Sequence, residues 1–344
     1  MGFSPCRPHR LTVLLAAMAF ALGGCGSADE PRVGADGQPL DVVRVAPWGP
    51  KLVDFIDLYV GEALGFFADE GLFVEQLIAE GAGDAIRNLI AGNADVAMAD
   101  PFSGYFAIQR GAELTGFYCP YTENWMTMVV NSERGIRTPE DLRGKTIAVT
   151  SQASTSRYHV MFLLAANGLS EDEVKVAGVG RDFASVLFGG SVDAASTWRS
   201  LNWAMFRGRT PEQAGYAVWD YEQIPGPNDV YFARTAWAEE NQDLLRRFVA
   251  AIDRAKRWVA DHPDEAARIG SEYAVGADDL ERNRAVIDLR IQMQSRGPGV
   301  AEHGTGWCDV ATMKDVADRA TDLGILDQPI DVADVIHNDF LPAR

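Results

Sequence analysis

Residues 73–99 read FVEQLIAEGAGDAIRNLIAGNADVAMA, and a complete α/β repeat lies within them. The apolar run Phe73 to Ile78 predicts a strand, and Gly81-Ala82-Gly83 breaks it. Asp84 can cap a helix that continues through Ile90, and Asp95-Val96-Ala97-Met98-Ala99 predicts the next strand. Upstream, Val42-Val43-Arg44-Val45-Ala46 predicts a strand ending at Pro47-Trp48-Gly49-Pro50, followed by a helix over Leu58 to Leu64. The order is βαβαβ, which implies a parallel sheet with helices packed on it.

A second cycle begins at Thr138-Pro139-Glu140-Asp141-Leu142-Arg143-Gly144-Lys145. It continues with a strand at Thr146 to Thr150 and a helix from near Ser154 to Asn167-Gly168, then strands at Val174 to Val176 and Ser191 to Ser196. From Ala238 to Ala260, Leu244, Leu245, Phe248, Ile252, Ala255 and Val259 recur at three- and four-residue steps, predicting a long amphipathic helix stopped by Pro263. Two α/β lobes are expected: lobe I over 40–119 and 228–344, lobe II over 120–227. The chain should cross between them near Tyr118 to Met126 and near Asp220 to Tyr231. Two crossings give the architecture of a hinge.

The 344 residues are 47% hydrophobic and 23% charged, which is globular composition with enough apolar material for two cores. With 31 basic against 49 acidic side chains the net charge is −18, and no Lys/Arg stripe occurs, so a nucleic-acid partner is not expected. Residues 1–24 run from Arg7, His9 and Arg10 into the apolar stretch Leu11 to Leu22 and close on Leu22-Gly23-Gly24-Cys25. That is the pattern of a secretion signal, too short for a bilayer span of about 20 residues. The small residues before Cys25 resemble a bacterial lipobox, which would place diacylglycerol on Cys25 and an extracytoplasmic tether over 25–39; cleavage nearby by an ordinary signal peptidase is the alternative. Cys6 leaves with the signal. Cys119 and Cys308 are then the pair available for oxidation, as a bridge or as two buried thiols.

Several motifs in fixed order resemble a known family. They are Trp48 after the first strand, Gly65-Phe66-Phe67 with Glu70-Gly71-Leu72, and Ala91-Gly92-Asn93-Ala94-Asp95-Val96-Ala97. Asp100-Pro101, the segment Ile136 to Lys145 and His262-Pro263 follow. Together they resemble the type II solute-binding proteins of ABC importers, in the branch that binds nitrate, alkanesulfonates and thiamine-pyrimidine precursors. The tail, with Gly306-Trp307, Gly324-Ile325-Leu326, Pro329, Val332 and Asn338 to Pro342, is similar to the pyrimidine-precursor members. The resemblance implies a two-lobed monomer that captures a small molecule and delivers it to a membrane permease driven by an ATPase, with no cofactor and no metal. It ranks a thiamine pyrimidine precursor first, a flavin next, and a small oxyanion such as an alkanesulfonate, taurine or nitrate as the rival. One departure stands out: pyrimidine binders carry a Tyr-Trp-Asn-Tyr-Glu stretch where this chain has Ser196-Thr197-Trp198-Arg199-Ser200-Leu201-Asn202-Trp203, without the acidic residue.

Ligands of open α/β sheets lie beyond the carboxyl ends of the strands. Trp48 can stack there on a planar ring and donate one hydrogen bond. Gly81, Ala82 and Gly83 let helix N-terminal amides approach a ligand. Ser151, Gln152, Ser154 and Thr155 form a hydroxyl-rich strand-to-helix turn with the same capacity. Trp198, Arg199 and Trp203 supply two rings and a cation, Asp100 follows the third strand, and Tyr121, Asn124 and Trp125 lie in the first crossing. Catalysis is not expected. The histidines are isolated, and Cys-x-x-Cys, Gly-x-Ser-x-Gly and phosphate-loop lysine motifs are absent. The one enzymatic relative that the resemblance brings is the eukaryotic enzyme that makes the thiamine pyrimidine, which carries a cysteine-rich motif missing here.

Overall fold

Ten strands among the described residues divide between two five-stranded sheets. The computed structural model describes Gly2 and residues 32–342, except 35, 36, 208, 297 and 298. The leader and Cys25 lie outside the described residues. The strands are β1 (Asp41–Ala46), β2 (Leu72–Gln76), β3 (Val96–Ala99), β4 (Leu114–Tyr118), β5 (Met126–Asn131), β6 (Thr146–Val149), β7 (Lys175–Gly178), β8 (Ala194–Trp198), β9 (Tyr216–Asp220) and β10 (Val230–Arg234). One sheet has the order β2-β1-β3-β10-β4 and the other β7-β6-β8-β5-β9. β3, β4 and β8 are buried along their whole length, because helices cover both faces of each sheet.

The expected parallel pairing holds for β1 with β2 and β3, and for β6 with β7 and β8. It fails at the strands beside the crossings. β10 runs antiparallel to β3 and β4, and β5 antiparallel to β8 and β9. Each is the first strand laid down after the chain has changed sheets, so it enters from the end at which its neighbours finish. The sheet change occurs between Tyr118 and Met126 and reverses between Asp220 and Val230, through irregular segments.

Three local expectations are revised. The long helix is two, Thr235–Glu240 and Gln242–Asp261. Asn241 interrupts it: its side-chain amide donates to the Trp237 carbonyl at 2.8 Å, the local competition by which Asn opposes helix continuation. Pro263 then opens the next helix, Pro263–Tyr273, at a position where its missing N–H has no intrahelical partner to lose. The part of the tether that is described folds back, with Val33 pairing antiparallel with Pro39 and Arg32 over the Phe73 ring at 4.7 Å. Cys119, directly after β4, is joined to Cys308 by a disulfide with Cα atoms 5.1 Å apart. No helix among the described residues is long and apolar enough to cross a membrane.

Candidate functional site

A cavity of about 360 Å³ lies where the two sheets face each other. Its lining follows from strand direction. Trp48 comes after β1, Ile78 to Ala82 after β2, Thr150 and Ser151 after β6, Gly180 and Arg181 after β7, and Trp198 closes β8. Trp125 precedes β5, and Asn228 and Asp229 precede β10. Because β5 and β10 run backwards in their sheets, their starts meet the same edge as the other strands' ends.

Three tryptophans crowd this edge. The Trp48 ring centroid is 5.6 Å from that of Trp125 and 5.9 Å from that of Trp198, and Trp125 and Trp198 are 6.2 Å apart, all tilted or edge-on. Phe55 supports Trp48 at 4.9 Å, and Phe183 supports Trp198 at 6.0 Å. The Arg181 guanidinium lies 5.5 Å over Trp198 and makes no ion pair among the described residues. The geometry offers ring faces to a planar ligand and a guanidinium beside them.

Polar groups cover the rest. Asp229, 1% exposed, accepts from Trp48 Nε1–H at 3.2 Å and from Asn228 Nδ2–H at 3.2 Å. Burial, reinforced by the nearby Asp100 carboxylate, pushes the Asp229 carboxyl up to about 8. The hydroxyl-rich turn is largely satisfied within itself. Ser154 Oγ donates to the Ser151 carbonyl at 2.7 Å and receives the Ser151 N–H at 3.1 Å, so it does not cap the helix Thr155–Ala166 that it precedes.

Of the residues singled out in the sequence, Trp48, Gly81, Ala82, Trp125, Ser151, Ser154, Thr155 and Trp198 line the cavity. The others lie elsewhere, each for a local reason. Gly83 holds the two lobes together: its N–H donates to the Ala153 carbonyl at 3.2 Å, and a Cβ there would come within 2.8 Å of that oxygen. Its amide is therefore engaged by protein. Asp100, fully buried, caps the helix Pro101–Ile108 through Ser103 and accepts from Thr155 Oγ1 across the cleft at 2.8 Å. Tyr121 lies behind Trp125, its hydroxyl against Arg290. Asn124 braces the crossings, donating to the Ile224 carbonyl at 2.9 Å and bonding His159 Nε2 at 3.0 Å. Burial lowers His159 to about 4, so it is a neutral acceptor for that amide. Gln152 is exposed. Arg199 follows the last strand residue and turns outward to Asp220, 3.1 Å away, and Trp203 is half-buried on the helix Arg199–Phe206 outside the cavity lining.

Sequence reasoning missed Arg181, Asn228 and Asp229. Arg181 lies three residues past Gly178, where β7 ends, a signal available from strand-end logic. Asn228 and Asp229 stand before an antiparallel strand, and no spacing rule reveals its direction.

Two mixed sheets facing one cavity define the periplasmic-binding-protein class of fold. The chain belongs to the NMT1/THI5 like family, whose model matches residues 53–266. It is 24% identical to the riboflavin-binding protein RibY of Chloroflexus aurantiacus, over 84% of this chain and 83% of that one. It is 22% identical to the formylaminopyrimidine-binding protein of Halalkalibacterium halodurans, over 94% and 96%. Among solved structures, the alkanesulfonate-binding protein SsuA of Xanthomonas axonopodis pv. citri bound to MOPS superposes with a TM-score of 0.66 at 16% identity, covering 86% of this chain and 98% of that one. At that identity the likeness concerns the fold. Among the described residues no group of three or more His, Cys, Asp or Glu is placed to hold a metal ion.

Proposed function

We propose that this chain is an extracytoplasmic receptor that captures a small planar nitrogen heterocycle and hands it, chemically unchanged, to an ABC-type membrane permease. The observation that carries the reading is the trio Trp48, Trp125 and Trp198 around one cavity between the sheets. Aromatic rings without a nucleophile–base pair suit stacking and burial of a flat ligand, not bond making. Relatives that bind riboflavin and formylaminopyrimidine support the ligand class. A pyrimidine precursor of thiamine ranks first and a flavin second.

The test is a thermal-shift and calorimetry panel of formylaminopyrimidine, riboflavin, taurine and nitrate. A ligand at a hundred times its dissociation constant stabilises the native state by about 2.7 kcal/mol. A heterocycle should give that response, and Arg199→Ala should keep its affinity within about twofold, because Arg199 pairs with exposed Asp220 and surface pairs contribute little. A response to taurine or nitrate alone would sink the heterocycle reading. Attachment to the membrane is proposed through lipid on Cys25. Cys25→Ala should accumulate as unprocessed precursor; normal maturation and unchanged membrane fractionation of that variant would refute the anchor.

A further inference from the structure

Asp229 is a costly residue to bury, and the fold does not need its charge. It is 1% exposed, and no Lys or Arg pairs with it among the described residues. Its two protein donors, Trp48 Nε1–H and Asn228 Nδ2–H, both stand at 3.2 Å, the long end of the hydrogen-bond range, and in the acid form as in the carboxylate a carbonyl oxygen keeps a lone pair free. An amide in its place could still accept from Trp48. With the Asn228 amide turned over, since its Nδ2 faces Asp229 here, it could also donate to Asn228 Oδ1, which is buried without a partner among the described residues. Trp125, 2% exposed and also on the cavity wall, has its indole N–H unpaired among the described residues. Three residues of one wall thus carry hydrogen-bonding capacity that the protein leaves unused, and unused buried capacity is unfavourable unless a ligand completes it.

We propose that Asp229, flanked by Asn228, accepts hydrogen bonds from N–H groups on one edge of the ring held by the three tryptophans, so that the site selects rings bearing an amino or imide N–H over N-methylated rings of the same shape. The assignment rests on the heterocycle reading above. Other charged or titratable groups around Asp229 are Asp100, Arg290, Tyr121 and Tyr231. Asp100 makes the site more negative, which favours a ligand's donor edge there. Arg290 is engaged by Asp57 and Tyr121. Arg181 lies by Trp198, at a different part of the lining, where ring acceptors or a carbonyl would be favoured.

The experiment measures two probe pairs by calorimetry against the wild-type chain and Asp229→Asn: 4-amino-2-methylpyrimidine with its 4-dimethylamino analogue, and riboflavin with 3-methylriboflavin. In the wild type, the N–H member of the pair that binds should be preferred at least tenfold. In Asp229→Asn the preference should fall to threefold or less, with the methylated member's affinity little changed. The empty variant should melt at the same temperature as wild type or higher at pH 7, a readout that a merely structural role for Asp229 would move downward. Equal binding of both members by the wild type, or equal weakening of both in the variant, would overturn this assignment while leaving the heterocycle reading in place. Binding of an alkanesulfonate with neither pair bound would overturn both.

Discussion

Replacing Asp57 with Asn should destabilise the protein by about 3–5 kcal/mol, the penalty for leaving one partner of a buried ion pair uncompensated. Asp57 is on the helix Ile56–Ala63 and Arg290 on Leu280–Ser295, with Nη2 and Oδ2 2.6 Å apart and side chains 2% and 4% exposed for Arg290 and Asp57. The variant keeps the shape and removes the charge that Arg290 faces. Neutralising the arginine instead is not open to the variant, because a guanidinium stays protonated in proteins even when it is buried. Arg290 Nε already lacks a partner among the described residues, so its hydrogen bonding is not in surplus. Urea unfolding with an unchanged m-value and a lower midpoint is the expected result. A loss under about 1 kcal/mol would mean that water reaches this pair, whereas removal of both charges, as in Asp57→Leu with Arg290→Met, should restore much of the loss. Binding should suffer too: Arg290 holds the Tyr121 hydroxyl, and the Tyr121 ring backs Trp125 at 5.3 Å.

That connection shows why some of the site was readable from sequence and some was not. Trp48, Gly81 and Ser151 follow strands whose apolar runs are bounded by Pro or Gly or end in a hydroxyl cluster, so position relative to the sheet edge came directly from pattern. Trp198 and Arg199 are adjacent, and one residue decided between them. β8 runs to Trp198 itself, two residues beyond the expected end, so Trp198 faces the cavity and Arg199 begins the outward turn. Tyr121 and Asn124 lie in the crossing, as read, yet side chains there can point to the cleft or to the brace behind it. Packing against Arg290 and His159 decided for the brace. Asp229 was beyond reach because its neighbours in space, Trp48 and Asp100, are more than a hundred residues away and its strand runs in the direction opposite to β3. Two lobes, by contrast, were legible as two repeats of the same strand–helix rhythm.

Trp48→Ala should weaken heterocycle binding by about 1–3 kcal/mol, roughly 5- to 150-fold in the dissociation constant, the range for losing a large ring contact. Trp48 packs against both other tryptophans, at 5.6 and 5.9 Å, and its indole N–H donates to the buried Asp229. Truncation removes ring area, opens a gap beside Trp125 and Trp198, and strips Asp229 of one of its two protein donors. Trp48→Phe separates these effects: it keeps an aromatic face and loses the N–H, so its affinity should fall between wild type and Trp48→Ala. A small oxyanion would be held differently, by the guanidinium of Arg181 through charge-assisted hydrogen bonds, with little use for ring faces. The two classes therefore give opposite patterns in calorimetry with formylaminopyrimidine, riboflavin and taurine, provided urea unfolding shows that each variant is folded. Stacking predicts that Trp48→Ala loses more affinity than Arg181→Ala. Full affinity in Trp48→Ala together with lost binding in Arg181→Ala would reassign the cavity to an anion, with the tryptophans acting as its apolar walls.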